Sequence, residues 1–372
     1  MRNFIYIMLF WLFAASRVLA ETTPPIRIAL VGPFTGVYAA YGTQLLSGAS
    51  EAINALNLNG GIKNTKLEVI PIDDQCDPSV AITQAEKIIA DKNFHAVIGH
   101  VCSAATLATI NLYAKANMLV ITPSSTNPQI TQRGITTLFR MIGTDKQQSQ
   151  VAANFIVHKL HIKRVAVLHD NELYSHALAD LVSEHLLQLN TSPILYQAIP
   201  RGARNFTSIV KKLKKLNADG VYFAGLYPEV SALATALDVL QLQVPLISSD
   251  SIALKQYVTA TNGHKVASAT LFTFGVDPHT LVSSKKVIHA MQQKHLETNG
   301  YALYAYAAVQ VISKTIEETN STDGKILANY LHHNEIETVL GKKSWDTNGD
   351  ISDTNFNIYA WNNNSELTLI NK

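Results

Sequence analysis

Charged residues are scarce in this sequence, and the two signs nearly cancel. Only 16% of the 372 residues are charged, and 30 Lys and Arg stand against 28 Asp and Glu. A protein that binds nucleic acid usually carries a basic patch or stripe, and no such surplus is present here. The hydrophobic share of 47% excludes a disordered chain. Together with the chain length, it indicates a globular protein of about two domains.

Motifs of common enzyme classes are also missing. The chain has no GxSxG, HExxH, GxxxxGK[ST] or GxGxxG pattern. His100 and Ser103 come closest to a base and its nucleophile, but no carboxylate stands in an obvious place to orient the histidine. The segment from Asp346 to Asp350 resembles the start of a calcium loop, yet Gly349 is in the fourth place rather than the sixth, which predicts a plain turn. We therefore expect no enzyme activity, no metal site and no cofactor.

Long apolar runs are absent after the first twenty residues, and those residues have the features of a signal peptide. Arg2 precedes an apolar core from Phe4 to Ala15, and Val18 to Ala20 form a small-x-small cleavage site. The core has about twelve residues, whereas a membrane-spanning helix needs about twenty. We expect residues 1–20 to be removed after Ala20, leaving a soluble exported protein; a retained membrane anchor is the alternative.

Cysteine is almost absent, with Cys76 and Cys102 as the two examples in the chain. In an exported protein such thiols tend to be oxidised, so we expect them to form a disulfide across 26 residues. A metal pair or a nucleophilic thiol are the alternatives, but neither a CxxC spacing nor a nearby histidine cluster supports them.

Short apolar runs and segments of helical periodicity alternate along the chain. The pattern begins with a predicted strand at 26–31 and a predicted helix at 43–58, and a second series starts near residue 147 and reaches a strand at 245–248. Such alternation predicts parallel sheets flanked by helices, in two doubly wound lobes. Open sheets of this kind bind ligands beyond the carboxyl ends of their strands.

Hydroxyl residues are concentrated at two such strand ends. Ser103 stands where a strand gives way to a helix, and a helix N-terminus offers free N–H groups to an anion. Ser124 and Thr126 follow the next strand along the chain. Plain helix capping would explain Ser103 alone. Two hydroxyl-rich loops after successive strands favour a shared anion site.

One carboxylate and several aromatic residues follow other predicted strands. Asp250 comes after the strand at 245–248 and is suited to pair with a cation such as an α-ammonium group; a helix cap is the alternative. Tyr41, Tyr174 and Tyr227 also stand near strand ends, where they could line a cleft for a small molecule.

The sequence resembles the periplasmic leucine/isoleucine/valine-binding protein family over nearly its whole length, from about Ile26 to Trp361. The segments that carry the resemblance are Asn59-Gly60-Gly61-Ile62, Asp73-Asp74-Gln75-Cys76-Asp77-Pro78, Ile98-Gly99-His100-Val101-Cys102-Ser103, Thr126-Asn127-Pro128, Thr131-Gln132-Arg133-Gly134, Tyr306-Ala307-Ala308-Val309-Gln310 and Trp345-Asp346.

This resemblance implies an α/β type I periplasmic-binding fold with two doubly wound lobes, parallel sheets and three hinge crossings, near Gly143, Thr273 and Asp353. The N-terminal lobe would comprise 21–143 and 274–352, and the C-terminal lobe 144–273 and 353–372. It also implies the Cys76–Cys102 disulfide.

The resemblance implies a site for a small amino acid. Its carboxylate would contact Ser103, Ser124 and Thr126, and its ammonium group Asp250. Its side chain would lie among aromatic residues at Tyr41, where a Trp is usual in the family, Tyr174 and Tyr301. Two departures affect the choice of ligand: Asp250 replaces a Glu, and Leu226 replaces a Tyr.

The expected function is capture of an amino acid, with leucine, isoleucine and valine as first candidates, for an ABC transporter in the periplasm. The partners would be the ligand and a membrane permease, with no nucleic acid, and the protein would be a monomer. The alternative is a periplasmic amino-acid or amide sensor of the same fold that is not coupled to transport.

Overall fold

The computed structural model describes residues 24–261, 263–353 and 356–370. The predicted signal peptide and its cleavage site lie outside these ranges. Within them, no helix combines the length and the apolar character needed to cross a membrane.

The first sheet has five parallel strands in the order β2-β1-β3-β4-β5. Its strands are Ile26–Gly32 (β1), Leu67–Asp73 (β2), Phe94–Ile98 (β3), Leu119–Thr122 (β4) and Leu138–Arg140 (β5). Helices cover both faces, which is why all residues of β4 and all but Arg27 in β1 are buried, instead of every second residue.

The second sheet has seven strands in the order β14-β13-β10-β9-β8-β6-β7. They are Val165–His169 (β6), Leu195–Ala198 (β7), Gly220–Ala224 (β8), Leu246–Ser248 (β9), Thr270–Phe274 (β10), Asn357–Trp361 (β13) and Leu367–Leu369 (β14). Strands β6 to β10 are parallel, as predicted, whereas β13 and β14 are antiparallel additions at one edge. Strands β13 and β14 are joined by a short turn, as antiparallel neighbours can be, so no crossover helix is needed between them.

Twelve α-helices of the described residues flank the sheets. They are Ala39–Leu58 (α1), Pro78–Ala90 (α2), Ser103–Lys115 (α3), Asp145–Asn154 (α4), Leu173–Gln188 (α5), Thr207–Lys215 (α6), Tyr227–Val239 (α7), Lys255–Ala260 (α8), His264–Ser268 (α9), Lys285–Gln293 (α10), Ala302–Thr319 (α11) and Gly324–His333 (α12). A π-helical turn, Phe155–Lys159, continues α4, and a small hairpin joins Ile336–Thr338 (β11) to Gly341–Lys343 (β12).

The late helices belong with the first sheet. Helix α11 packs along α1 and also contacts β3, while α12 contacts β4. Gly48 permits the close contact of α1 and α11, because a Cβ at this position would lie 1.7 Å from the Ala302 carbonyl oxygen. We call the first sheet with its helices the first lobe and the second sheet with its helices the second lobe. The chain passes between them after β5, after β10 and before β13.

The predicted disulfide between Cys76 and Cys102 is confirmed. It joins the loop after β2 to the residue that precedes α3, at the carboxyl edge of the first sheet.

Removal of this disulfide should lower stability by about 3.5 kcal/mol, because the bond closes a loop of 26 residues in the unfolded chain. Urea unfolding of the C76S/C102S double variant, compared with the oxidised protein, measures the loss. Dithiothreitol should destabilise the unsubstituted protein and leave the double variant unaffected. Equal unfolding midpoints for the oxidised protein and the double variant would contradict the prediction.

Candidate functional site

A cavity lies where the carboxyl ends of the two sheets face each other. Seven of the eight residues predicted to bind the ligand line it: Tyr41, Ser103, Ser124, Tyr174, Leu226, Asp250 and Tyr301. The disulfide cysteines also contribute to its wall. The parallel strands bring these side chains together because each strand ends at the same edge of its sheet.

The two predicted hydroxyl loops adjoin because β3 and β4 are neighbours in the first sheet. Ser103 is the first residue of α3, the residue before it is Cys102, and no side chain caps this helix end. Helix capping, the alternative explanation for Ser103, is therefore not what its hydroxyl does. Instead the Ser103 Oγ accepts a 3.4 Å hydrogen bond from the Asn127 N–H. The uncapped α3 N-terminus and the Ser124 hydroxyl face the same cavity, so an anion could be bound there.

Thr126 lies beneath the cavity rather than on its surface. The residue is buried, and its carbonyl oxygen accepts a 2.9 Å hydrogen bond from the Asp145 N–H. Its hydroxyl lies against the Asp145 carboxyl group. Thr126 therefore links the loop after β4, in the first lobe, to the start of α4, in the second lobe.

Asp250 lies on the cavity wall and accepts hydrogen bonds from tyrosine hydroxyls of both lobes. Its Oδ1 accepts a hydrogen bond of 2.6 Å from the Tyr174 hydroxyl, and its Oδ2 accepts one from the Tyr301 hydroxyl. Within the described ranges, no Lys, Arg or His forms an ion pair with it. Burial raises the pKa of Asp250 above its usual value. The site therefore holds a carboxyl group that a cationic ligand group would stabilise in its charged form.

A second buried acid, Asp145, lies behind Asp250 and was not predicted from the sequence. Gln148 connects them: its Nε2 donates to Asp145 Oδ1 at 3.0 Å, and its Oε1 accepts from the Asp250 N–H at 3.1 Å. Burial, followed by the nearby charge of Asp250, raises the pKa of Asp145 to about 8. An Asp at the first position of a helix is common because it interacts favourably with the helix dipole. The sequence therefore did not indicate that Asp145 is buried.

The two lobes contact each other around the cavity, so the cleft is closed. The Tyr41 hydroxyl, from α1, donates to the Ser251 carbonyl at 2.7 Å and accepts from the Tyr227 N–H at 3.2 Å. In the opposite direction, the Tyr227 hydroxyl donates to the Val37 carbonyl at 2.8 Å.

Arg140 is fully buried and binds the loop that follows β4 and contains Ser124 and Thr126. Its guanidinium group donates to the carbonyl oxygens of Ser125 at 2.8 Å and Asn127 at 3.2 Å. The carboxylate of Asp350 lies 2.5 Å from Arg140 Nε and compensates its charge. The segment from Asp346 to Asp350 is the predicted turn. Its last residue, Asp350, is the counter-ion of Arg140.

His100 does not form a catalytic pair with Ser103. Its Nδ1 lies 2.7 Å from the Asp74 carboxylate, and its Nε2 lies 3.3 Å from the Tyr113 hydroxyl. Both ring nitrogens are therefore occupied by buried neighbours rather than by Ser103. In the described part of the chain, no cluster of His, Cys, Asp and Glu has the composition of a metal site.

Raising the pH should destabilise the protein through Asp145. The unfolded chain ionises this group near pH 4, whereas the folded chain keeps it protonated up to about pH 8. Between those values the folded state binds more protons, so the free energy of unfolding falls as the pH rises. In the Asp145→Asn variant, the melting temperature should fall less steeply between about pH 5 and pH 8.

Calorimetry of both proteins across this pH range measures the two slopes. Asp238→Asn, on the solvent-exposed side of α7, is the matched control and should retain the steeper slope. Identical slopes for Asp145→Asn and the unsubstituted protein would contradict the assignment.

Comparison with known proteins places this architecture in a family. The model of the family described as periplasmic binding protein matches residues 25–366. An amino acid binding protein of Pseudomonas aeruginosa is 35% identical over 351 residues, which cover 94% of each chain. The Leu/Ile/Val-binding protein of Escherichia coli K12 is 32% identical over 345 residues, covering 92% of each chain.

Solved structures agree with the fold. A leucine binding protein of Thermotoga maritima superposes with a TM-score of 0.85 at 22% identity, covering 93% of this chain and 98% of the other. A branched-chain amino acid binding protein of Streptococcus pneumoniae, solved with isoleucine, gives 0.84 at 23% identity and covers 93% and 99%. Two lobes, a closed cleft with the predicted residues on its walls, and a match along almost the whole described chain lead to one conclusion: this protein belongs to the periplasmic binding protein family.

Proposed function

We propose that this protein is the periplasmic solute-binding component of an ABC importer and that it captures a small α-amino acid between its lobes. The observation that carries the proposal is Asp250, a buried carboxyl group that no cationic side chain of the described residues pairs with, in the same cavity as the uncapped N-terminus of α3. An α-amino acid zwitterion would supply an ammonium group for Asp250 and a carboxylate for the N-terminus of α3.

The head group of the ligand determines its orientation in this proposal. The α-ammonium group donates to Asp250, whose carboxylate accepts hydrogen bonds from the neutral hydroxyls of Tyr174 and Tyr301. The α-carboxylate accepts hydrogen bonds from the Ser103 and Ser124 hydroxyls and from backbone N–H groups of α3. Thr126 contributes from beneath, through the loop that it shares with Ser124.

The side chain of the ligand would lie against Leu226, Tyr41, Tyr174 and Tyr301, which line the rest of the cavity. The names of the E. coli and S. pneumoniae relatives make branched-chain amino acids the first candidates. Leu226 adds apolar surface, which favours an aliphatic side chain through the hydrophobic effect.

Ligand capture requires the cleft to open and close. We propose that residues 21–143 with 274–352 move against residues 144–273 with 353–372, with hinges near Gly143, Thr273 and Asp353. The hydrogen bonds of Tyr41 and Tyr227 across the cleft would form at closure. A membrane permease would recognise the closed protein, which is expected to act as a monomer after removal of residues 1–20, without a cofactor and without changing the ligand.

The alternative within the same fold is a periplasmic sensor of an amino acid or amide that signals without transport. Loss of the gene should lower uptake of the ligand by cells if the protein feeds an importer. Unchanged uptake, with ligand binding intact in the purified protein, would favour the sensor.

The purified mature protein, stripped of bound ligand, should be stabilised by an α-amino acid. A ligand at a thousand times its Kd adds about 4 kcal/mol, so a thermal-shift screen of the standard amino acids detects it readily. Leucine, isoleucine and valine are expected to give clear shifts. The Asp250→Asn variant should lose affinity by at least about thirtyfold, because the ammonium group loses its charged partner.

Asp277→Asn provides the matched control, since Asp277 is equally buried but lies outside the cavity and accepts a hydrogen bond from the His279 N–H that an Asn can keep. Calorimetric titration should give it unchanged affinity. The deaminated analogue of leucine should not bind the unsubstituted protein. Tight binding of that analogue, or full affinity in Asp250→Asn, would refute the proposed head-group site.

A further inference from the structure

Three charged side chains line the amino-acid cavity away from its apolar wall. Asp170 and Glu172 follow β6, and Arg201 follows β7. Because β6 and β7 are paired and parallel, their carboxyl ends bring these residues to one edge of the second lobe. None of the three was predicted to contact the ligand.

Asp170 is buried, and within the described residues its two carboxylate oxygens differ in their hydrogen-bond partners. Its Oδ1 accepts hydrogen bonds from the Glu172 N–H at 3.0 Å and from the Ser175 hydroxyl. Among the described residues, its Oδ2 accepts no hydrogen bond of ordinary geometry, although the Leu226 N–H lies near the carboxyl group. An unsatisfied buried acceptor costs free energy, so a donor placed beside Oδ2 would be stabilising.

Arg201 is held in place by groups from both lobes. Its guanidinium carbon lies 4.7 Å from the centre of the Tyr38 ring, and its Nε donates to the Tyr38 hydroxyl at 2.9 Å. On the other side, its Nη1 lies 3.4 Å from Glu172 Oε1. About a third of the Arg201 side chain is exposed, so the residue lies at the mouth of the cavity. Closure of the cleft therefore positions its N–H donors.

The charges of this group restrict the ligand side chain that it can accept. An anionic side chain would be repelled by Asp170 and Glu172. A cationic one would be attracted by these carboxylates but would compete with the Arg201 guanidinium, which already pairs with Glu172 at 3.4 Å. An aliphatic side chain would leave Asp170 Oδ2 without a donor. A primary amide is neutral and carries both an N–H donor for Asp170 and a carbonyl acceptor for Arg201.

We propose that Asp170, Glu172 and Arg201 form a polar subsite that admits α-amino acids whose side chain ends in a primary amide. This inference rests on the proposed function and extends its ligand range beyond the branched-chain amino acids. Asp170 accepts from the amide nitrogen, Arg201 donates to the amide oxygen, and Glu172 keeps the arginine oriented.

Leucine, asparagine and aspartate test the subsite sharply, because their side chains have the same number of heavy atoms and similar shapes. Asparagine and glutamine are titrated calorimetrically against the mature protein, and the one with the higher affinity is compared with leucine. This amide ligand should bind at least as tightly as leucine. It should also bind at least about tenfold more tightly than aspartate, glutamate or lysine.

Two variants locate the effect. Asp170→Asn keeps the oxygen that accepts hydrogen bonds from the Glu172 N–H and the Ser175 hydroxyl, but it places an N–H donor at the position of Oδ2. Arg201→Met removes the guanidinium N–H donors and keeps a side chain of similar length. Each should lower the ratio of amide to leucine affinity by at least about tenfold. Arg204→Met, at a neighbouring arginine that does not line the cavity, should leave this ratio unchanged.

The outcomes separate this inference from the proposed function. Binding of leucine without binding of either amide ligand would overturn the subsite and leave the proposed function standing. Tighter binding of aspartate or lysine, or an unchanged affinity ratio in both variants, would also overturn the subsite. If no α-amino acid binds, the proposed function falls as well. Melting curves establish that each variant is folded before it is titrated.

Discussion

The carboxyl group of Asp250 is buried at the junction of the two lobes, and no Lys, Arg or His in the described part of the chain forms an ion pair with it. Burial of an unpaired carboxylate is expensive, and hydroxyl donors repay only part of the desolvation. Tyr174 donates from the second lobe and Tyr301 from the first. Closure of the cleft therefore completes the hydrogen bonding of this group, while its charge remains uncompensated. The proposed ligand would supply an ammonium group as the partner of this carboxylate, so binding of the cation and closure of the cleft would stabilise each other.

The residues behind Asp250 show how the fold supports this group. Gln148 accepts from the Asp250 N–H and from the Thr273 hydroxyl, and it donates to Asp145. Asp145 lies against Thr126, whose loop is fixed by Arg140 from the first lobe. A continuous set of buried polar contacts thus connects the proposed ammonium site to the proposed carboxylate site.

Much of the architecture could be predicted from local patterns. Buried parallel strands are apolar runs, and their ends are marked by polar residues, so Ser103, Ser124 and Asp250 could be identified as candidate site residues from the order of amino acids alone. Strands β5 and β14, each of three residues, were not predicted from the sequence. Asp145 and Gln148 escaped prediction because their burial arises from packing of α4 against the second sheet, which no local pattern records.

Thr126 and Arg201 show two further reasons why sequence patterns do not fully specify the site. Thr126 is in the predicted loop, but two residues along an irregular segment are enough to turn a side chain from the cavity wall to the layer beneath it. Arg201 follows a short edge strand and looks in the sequence like a solvated surface residue. Its place at the cavity depends on Tyr38, which is 163 residues away and in the other lobe. A contact between residues so far apart in the chain is visible in the closed tertiary structure, and local sequence patterns do not reveal it.

The two ends of the cavity are built from different kinds of structure, and this difference bears on how ligand choice can vary. The head-group end consists of strand ends and a helix N-terminus, whose positions follow from the parallel sheets themselves. The charged end consists of loop residues after β6 and β7, anchored by side chains rather than by the sheet ladder. Substitution of Glu172 or Arg201 changes no strand pairing and no core packing, since both side chains are partly exposed. In the proposed site, recognition of the α-amino acid head group would therefore be tied to the fold, whereas recognition of the side chain could change by single substitutions at the mouth of the cleft.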